Sequence, residues 1–189
     1  MAAPSDTASL ALGLARLVVV VVVVAVAVAG ALAGCTPTSG PAKTSGARAE
    51  DVRRPLPATT VVGLDGSSVS LADVVRGRVT VLDLWASWCT ACRATSARVA
   101  RLAKIYAATD LLVVGLDVGE DRATVTAFLE GGLPPHPVYL DPDFHFADAL
   151  GRRELPAVVF VDRHGTVRRV AATLDESGVD LARGLLAEP

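Results

Sequence analysis

Short apolar runs alternate along this chain with segments whose apolar residues recur at helical spacing. Val79–Trp85 and Leu111–Leu116 are almost continuously apolar and read as strands buried on both faces. Arg93–Ala107 carries Val99, Leu102, Ile105 and Tyr106 at helical spacing, which predicts an amphipathic helix. Asp121–Glu130 places Val125, Phe128 and Leu129 on one face before a Gly131-Gly132 stop. Thr59–Val62 and Ser67–Leu71 flank Leu64-Asp65-Gly66 and predict a hairpin. Leu71–Val75 then reads as a short helical turn ended by Gly77, and Val138–Leu140 as a short strand. Asp141-Pro142 predicts an N-cap and a first-turn proline for a helix running to Leu150. Ala157–Asp162 and Thr166–Ala172 read as strands joined across Arg163-His164-Gly165. A last helix presents Val179, Ala182, Leu185 and Leu186, capped by Asp175 or Ser177. Strands alternating with helices predict an α/β domain with a mainly parallel sheet, to which the closing hairpin adds an antiparallel edge.

The N-terminal third follows a different pattern. Leu17–Ala33 is an apolar run containing an unbroken valine block, Val18–Val24, with Arg16 as the only basic residue ahead of it. It ends in Leu32-Ala33-Gly34-Cys35, small residues before a cysteine and polar sequence after it. That tetrapeptide resembles a bacterial lipobox, which makes residues 1–34 a lipoprotein signal peptide and Cys35 the lipidated residue. A signal anchor is the alternative, since roughly 18 apolar residues can span a bilayer. Either way the remainder is tethered outside the cytoplasm. Residues 35–56 are rich in Thr, Ser, Pro, Gly and Ala without helical or strand period, and read as a flexible tether. About twenty such residues reach roughly 25 Å. Residues 57–189 then suit one domain with one core. The net charge of −2 gives no reason to expect a nucleic-acid partner.

The chemistry concentrates at Trp88-Cys89-Thr90-Ala91-Cys92. A buried strand precedes this stretch and a helix follows it, so Cys89 falls at a helix N-terminus. Unpaired N–H groups and the helix dipole favour an anion there, which lowers a thiol pKa. Cys92 lies one turn on, close enough to close a small disulfide ring. Structural zinc needs four ligands, usually from two clusters, and no second CxxC is present. His136, His145 and His164 are scattered and read as surface residues, so no metal is expected. A purely structural role for so small a ring is also disfavoured, because it constrains little chain.

With these elements in place the chain resembles the thioredoxin superfamily, and within it the extracytoplasmic TlpA/ResA-like, redoxin-type branch. Val81–Cys89 is similar to that branch's strand-to-active-site signature, Val113–Asp117 with Glu120-Asp121 to its insertion, and Leu155–Asp162 with His164-Gly165 to its later block. The resemblance covers nearly all of residues 56–189. It implies a thioredoxin-like fold: a central mixed sheet flanked by helices, with an N-terminal hairpin and a strand/helix insertion. It implies Cys89 as the attacking and Cys92 as the resolving cysteine, with Pro156 as a cis proline facing them. Trp88 and Leu155 would meet the substrate beside the dithiol, and Arg152, Arg153 and Glu154 would border the cleft. Asp83 lies six positions before Cys89, where thioredoxins carry a buried aspartate. Two departures stand out. Ala91 replaces the usual proline before the second cysteine, and Ala94 stands where the branch often has an acidic residue.

The expected activity is thiol–disulfide exchange with protein substrates, with the dithiol as redox group and no organic cofactor. Asp83 would take the Cys92 proton through a water, and Arg93 would favour the Cys89 thiolate. Members of the branch often keep apocytochrome c thiols reduced, recharged by a membrane electron donor. Oxidative formation of disulfides in secreted proteins is the alternative direction. A thiol peroxidase lacks support, because the proline-to-threonine-to-cysteine pattern of that class is absent. A non-catalytic thioredoxin-like binding module would typically have lost the cysteines.

Overall fold

The computed structural model describes residues 49–132 and 134–189. The apolar segment, Cys35 and the first part of the expected tether lie outside the described residues. The elements are β1 (Glu50–Pro55), β2 (Thr60–Gly63), β3 (Ser68–Ser70), α1 (Leu71–Val75), β4 (Val79–Trp85), α2 (Cys92–Ile105) and β5 (Leu111–Val118). They continue with α3 (Arg122–Leu129), β6 (Val138–Asp141), α4 (His145–Leu150), β7 (Ala157–Val161), β8 (Thr166–Ala171) and α5 (Glu176–Ala187). Most bounds follow the sequence pattern closely, because apolar runs and caps coincide there. Asp175 accepts from the Gly178 N–H and caps α5 as expected.

The eight strands of the described residues form one sheet in the order β1-β8-β7-β4-β5-β6-β2-β3. Only β4–β5 and β5–β6 pair in parallel; the other neighbours are antiparallel. The sheet is therefore mixed, as the resemblance implied, and only the reading of a mainly parallel sheet from the element pattern is corrected. The reason is β7, which enters beside β4 from the opposite end and brings the β8 hairpin and β1 with it.

A second correction concerns the tether. Its residues Glu50–Pro55 are strand β1, paired with β8 from Glu50↔Val170 to Pro55↔Thr166. Polar side chains hide this strand from a hydrophobicity reading, yet they hold it. Arg169 Nε donates to Asp51 at 2.6 Å, and the Arg54 guanidinium donates to the Leu150 carbonyl. An edge strand needs only one paired side and tolerates such composition.

A third correction is the start of α4. Asp141 ends β6 rather than capping a helix directly; Phe144 takes a left-handed turn and the helix begins at His145. The Asp141 carboxylate still accepts from the Phe146 and Ala147 N–H groups, at 3.0 and 3.1 Å. Proline at 142 sits in the intervening turn. On α2, Cys92, Thr95, Val99 and Leu102 make the inner stripe, and Ile105 falls off it with 74% of its surface exposed.

The sheet divides the core. One face packs α1 and α4 through Leu71, Val75, Phe146 and Leu150 against Leu82, Leu84, Val114 and Leu116. On the other face Val99 and Leu102 of α2 and Ala182 and Leu185 of α5 cover Val79, Val81, Val113 and Phe160. A smaller cluster on that face holds both cysteines with Trp85, Val125, Leu129 and Leu140.

Candidate active site

Strand β4 is buried along its whole length between β5 and β7, and its carboxyl end delivers the chain to the cysteines. Loops at the carboxyl ends of central strands are the usual seat of α/β chemistry. The turn Ala86–Ala91 closes with the Cys89 N–H donating to the Ala86 carbonyl at 3.0 Å and the Cys92 N–H to the Cys89 carbonyl at 3.1 Å. Cys89 and Cys92 are joined as a disulfide with Cα atoms 5.3 Å apart. Both are buried, Cys92 the more deeply, at 2% against 6% exposure. The Cys92 N–H lies 3.1 Å from Cys89 Sγ and donates to it. In the reduced protein that donor and the free start of α2 both stabilise a Cys89 thiolate.

A cavity of about 360 Å³ opens beside the disulfide, between β4, α2, α3 and the stretch ahead of β6. Asp83, Cys89, Cys92, Arg93, Phe128 and His136 are among its lining residues. Asp83 is 1% exposed and its Oδ1 has no hydrogen-bond partner. Burial pushes its carboxyl up to about 6, offset in part by the Ser96 hydroxyl. An acid with that affinity can exchange a proton near neutral pH.

The sequence-predicted residues therefore meet in part. Asp83, Cys89, Cys92 and Arg93 share one cavity. Leu155 is half-buried and packs against the cysteine cluster, and the Leu155–Pro156 peptide bond is cis. Trp88 stands out in solvent with 65% of its surface exposed. Arg153 is engaged elsewhere, ion-paired with Asp148 and lying over the Phe144 ring at 5.0 Å. His145 and His164 are exposed as expected, but His136 is not a surface residue. It is half-buried in the cavity wall, its Nδ1 is unpartnered, and burial lowers its pKa to about 4. Gly115, the register partner of Asp83, makes room for it: a Cβ there would lie 3.4 Å from His136 Nε2 and 3.2 Å from Trp85 Nε1. Phe128 is 42% exposed and tilts against Trp85 at 5.4 Å, so it lines the cavity mouth instead of the core.

Sequence reasoning also missed Asp117 and Glu120 as site residues. Asp117 follows Gly115 by two on β5 and pairs in register with Trp85. Glu120 comes just after the strand and accepts from both the Ser87 N–H and the Ser87 hydroxyl, each at 2.5 Å. Their stretch matched the expected insertion, but only the parallel β4–β5 register brings them to the redox turn.

Comparison with known proteins agrees with this geometry. The Redoxin family matches residues 51–182, and the chain belongs to that family. The chain is 28% identical over 114 residues to the thiol-disulfide oxidoreductase ResA of Bacillus subtilis, covering 60% of this chain. It spans 63% of that relative's length, under two thirds. A secreted thiol-disulfide isomerase from Corynebacterium glutamicum superposes with a TM-score of 0.65 at 22% identity, covering 77% of this chain and 95% of that one. A thiol:disulfide interchange protein of the thioredoxin family from Chlorobium tepidum gives a TM-score of 0.58 at 20% identity, covering 72% and 98%. These two structures establish the thioredoxin-like fold.

Proposed function

We propose that the chain is a membrane-tethered, extracytoplasmic thiol–disulfide oxidoreductase acting on protein substrates through Cys89 and Cys92. The observation that carries this reading is the Cys89–Cys92 disulfide at the start of α2, with Asp83, whose Oδ1 is unpartnered, lining the same cavity. In the reduced form the Cys89 thiolate attacks one sulfur of a partner disulfide and expels the other as a thiolate. Asp83 takes the Cys92 proton, and Cys92 then attacks Cys89 Sγ and releases the partner's second sulfur. Two electrons pass to the partner and the Cys89–Cys92 bond re-forms. Run in reverse, the same steps oxidise a partner dithiol. The name of the Bacillus subtilis relative supports this activity. Trp88, Leu155 and Pro156 are proposed to border the substrate, and lipid on Cys35 is proposed to hold the domain at the membrane.

The direct test is insulin reduction by the full-length chain in detergent, against Cys89→Ser. Loss of turnover in the variant is expected; equal rates would remove the exchange reading. Direction follows from the reduction potential of the pair. A value near roughly −270 mV makes the protein a reductase, suited to apocytochrome c thiols and dependent on a membrane electron donor. A value near roughly −120 mV makes it a disulfide donor. Fatty-acid labelling of wild type against Cys35→Ala tests the anchor, with label expected only in the wild type.

A further inference from the structure

Asp117 is fully buried, yet neither carboxyl oxygen has a hydrogen-bond partner. The side chain that bears on it is another carboxyl, Glu120. Two ionised carboxyls brought together are two acceptors that repel, and a proton kept on one turns it into a donor to the other. Glu120 uses both of its oxygens on Ser87, two residues before Cys89. The backbone is shaped for this. Gly119 takes a left-handed φ of 83°, and a Cβ there would stand 2.2 Å from the Phe144 ring, so glycine is required where the chain turns Glu120 back toward β4.

We infer that Glu120 is a positioning residue that anchors the Ser87 turn, and with it Cys89, and that a proton held between Asp117 and Glu120 keeps that anchor in place. The inference rests on the exchange reading only for its consequence in catalysis. Burial and the neighbouring Glu120 carboxyl push Asp117 up to about 8, and the Glu120 N–H, which approaches without forming a well-made bond, offsets a part. Below that pH Asp117 keeps its proton and can donate it to Glu120, whose two oxygens accept from Ser87. Above it Asp117 is charged beside Glu120, and repulsion drives Glu120 off Ser87.

Other ionisable groups near the pair are placed as follows. On β4 the register partner is Trp85, with Asp83 one row down. His136 lies before β6, over Gly115. Asp141 at the end of β6 is occupied by the Phe146 and Ala147 N–H groups. On α3, Asp121 accepts from the Thr124 N–H and Arg122 is exposed. Arg93 of α2 lines the cavity. Asp83 and His136 titrate below neutrality, and disulfide-bonded cysteines do not titrate. In the oxidised chain a group changing charge between pH 7 and 9 beside Ser87 is therefore the carboxyl pair.

The test follows the Ser87 amide resonance of the oxidised full-length chain in detergent from pH 6.5 to 9.5. A step with a midpoint near 8 is expected in the wild type and should vanish in Asp117→Asn, whose side-chain N–H₂ replaces the shared proton at every pH. A flat wild-type profile, or the same step in the variant, overturns the inference whether or not the protein exchanges disulfides. Insulin turnover supplies the second readout. Asp117→Asn should flatten the pH dependence, so that its rate relative to wild type rises on the order of tenfold between pH 6.5 and pH 9.5, the scale of a lost charge-assisted hydrogen bond. Glu120→Ala should be slow at both pH values. Parallel wild-type and Asp117→Asn profiles would deny the positioning role. If Glu120→Ala does not fold, Ser87→Ala removes one of the two donors and should give a smaller loss with the same pH dependence.

Discussion

The two faces of the sheet treat buried acids in opposite ways. On the face covered by α1 and α4 the core is closed and Asp141, 1% exposed, spends one carboxylate oxygen on two backbone N–H groups. On the other face Asp83, equally buried, has an orphaned oxygen beside a cavity, and Asp117 has two. Same residue type and same depth give opposite outcomes. A carboxylate that only joins strand to helix leaves no buried oxygen unpartnered, because an unpaired buried acceptor costs stability. One that must receive a proton cannot be so well satisfied, since bonds to the charged form would hold its pKa low. The closed face supplies stability and the open face holds reactivity at some expense of it.

The largest effect that could break this comparison lies in the closed core. Phe146 is fully buried on α4, and Phe146→Ala should cost about 3–5 kcal/mol in denaturant unfolding. A loss below about 1 kcal/mol would mean that this face is no better packed than the other.

Next in size is Asp83→Asn, which should stabilise the protein. The folded pKa is near 6 and the ordinary value 3.8, so between these pH values the native state binds more protons than the unfolded state. Stability therefore falls as pH rises through that window, and the ionised carboxyl costs about 3 kcal/mol above it. Asparagine never ionises. The variant should gain roughly that amount at pH 8, little at pH 3.5, and lose exchange rate at neutral pH. Asp141→Ala should do the reverse and lose about 2 kcal/mol by abandoning two N–H donors. If both variants shifted the urea midpoint in the same direction at pH 8, the contrast between the faces would be wrong.

How much of this was legible in the sequence depended on whether the cause was local. Val79–Trp85 and Ala157–Val161 announce themselves as strands because both their faces are buried, and Cys89 and Cys92 fall where strand passes to helix. Asp83 was legible as a polar residue inside an apolar run. β1 was not, since its half-buried residues are only Val52 and Arg54, and pairing with a strand more than a hundred residues away leaves no local signal. Ile105 was misread because helical spacing defines a stripe with a rim, and only packing shows which residues sit on it. His136 and the Asp117–Glu120–Ser87 group depend on strand register. Nothing in residues 115–120 says that β5 runs beside β4 with Asp117 opposite Trp85.

The smallest expected effect on stability tests the cavity itself. A methyl group at Gly115 would intrude on the open face, where its three nearest atoms belong to Trp85, His136 and Val138 and not to either cysteine or Asp83. The added Cβ would press on Trp85 Nε1 at 3.2 Å, a distance at which that ring must shift by a few tenths of an ångström, and would meet His136 Nε2 at 3.4 Å. Alanine also removes the backbone freedom that makes glycine unfavourable in a strand, a gain of roughly 0.5–1 kcal/mol. The two terms oppose, so Gly115→Ala should leave stability within about 1 kcal/mol of wild type. Exchange should not be so indifferent. On the proposed exchange chemistry, space beside Asp83 would admit the water that carries a proton from Cys92, and the displaced Trp85 ring would take it. A several-fold slower turnover at unchanged stability is expected, with the loss confined to the resolving step and Cys89 alkylation by iodoacetamide left at the wild-type rate. Unchanged turnover would mean that the open face is merely imperfect packing, and Asp83 would then need another route to Cys92.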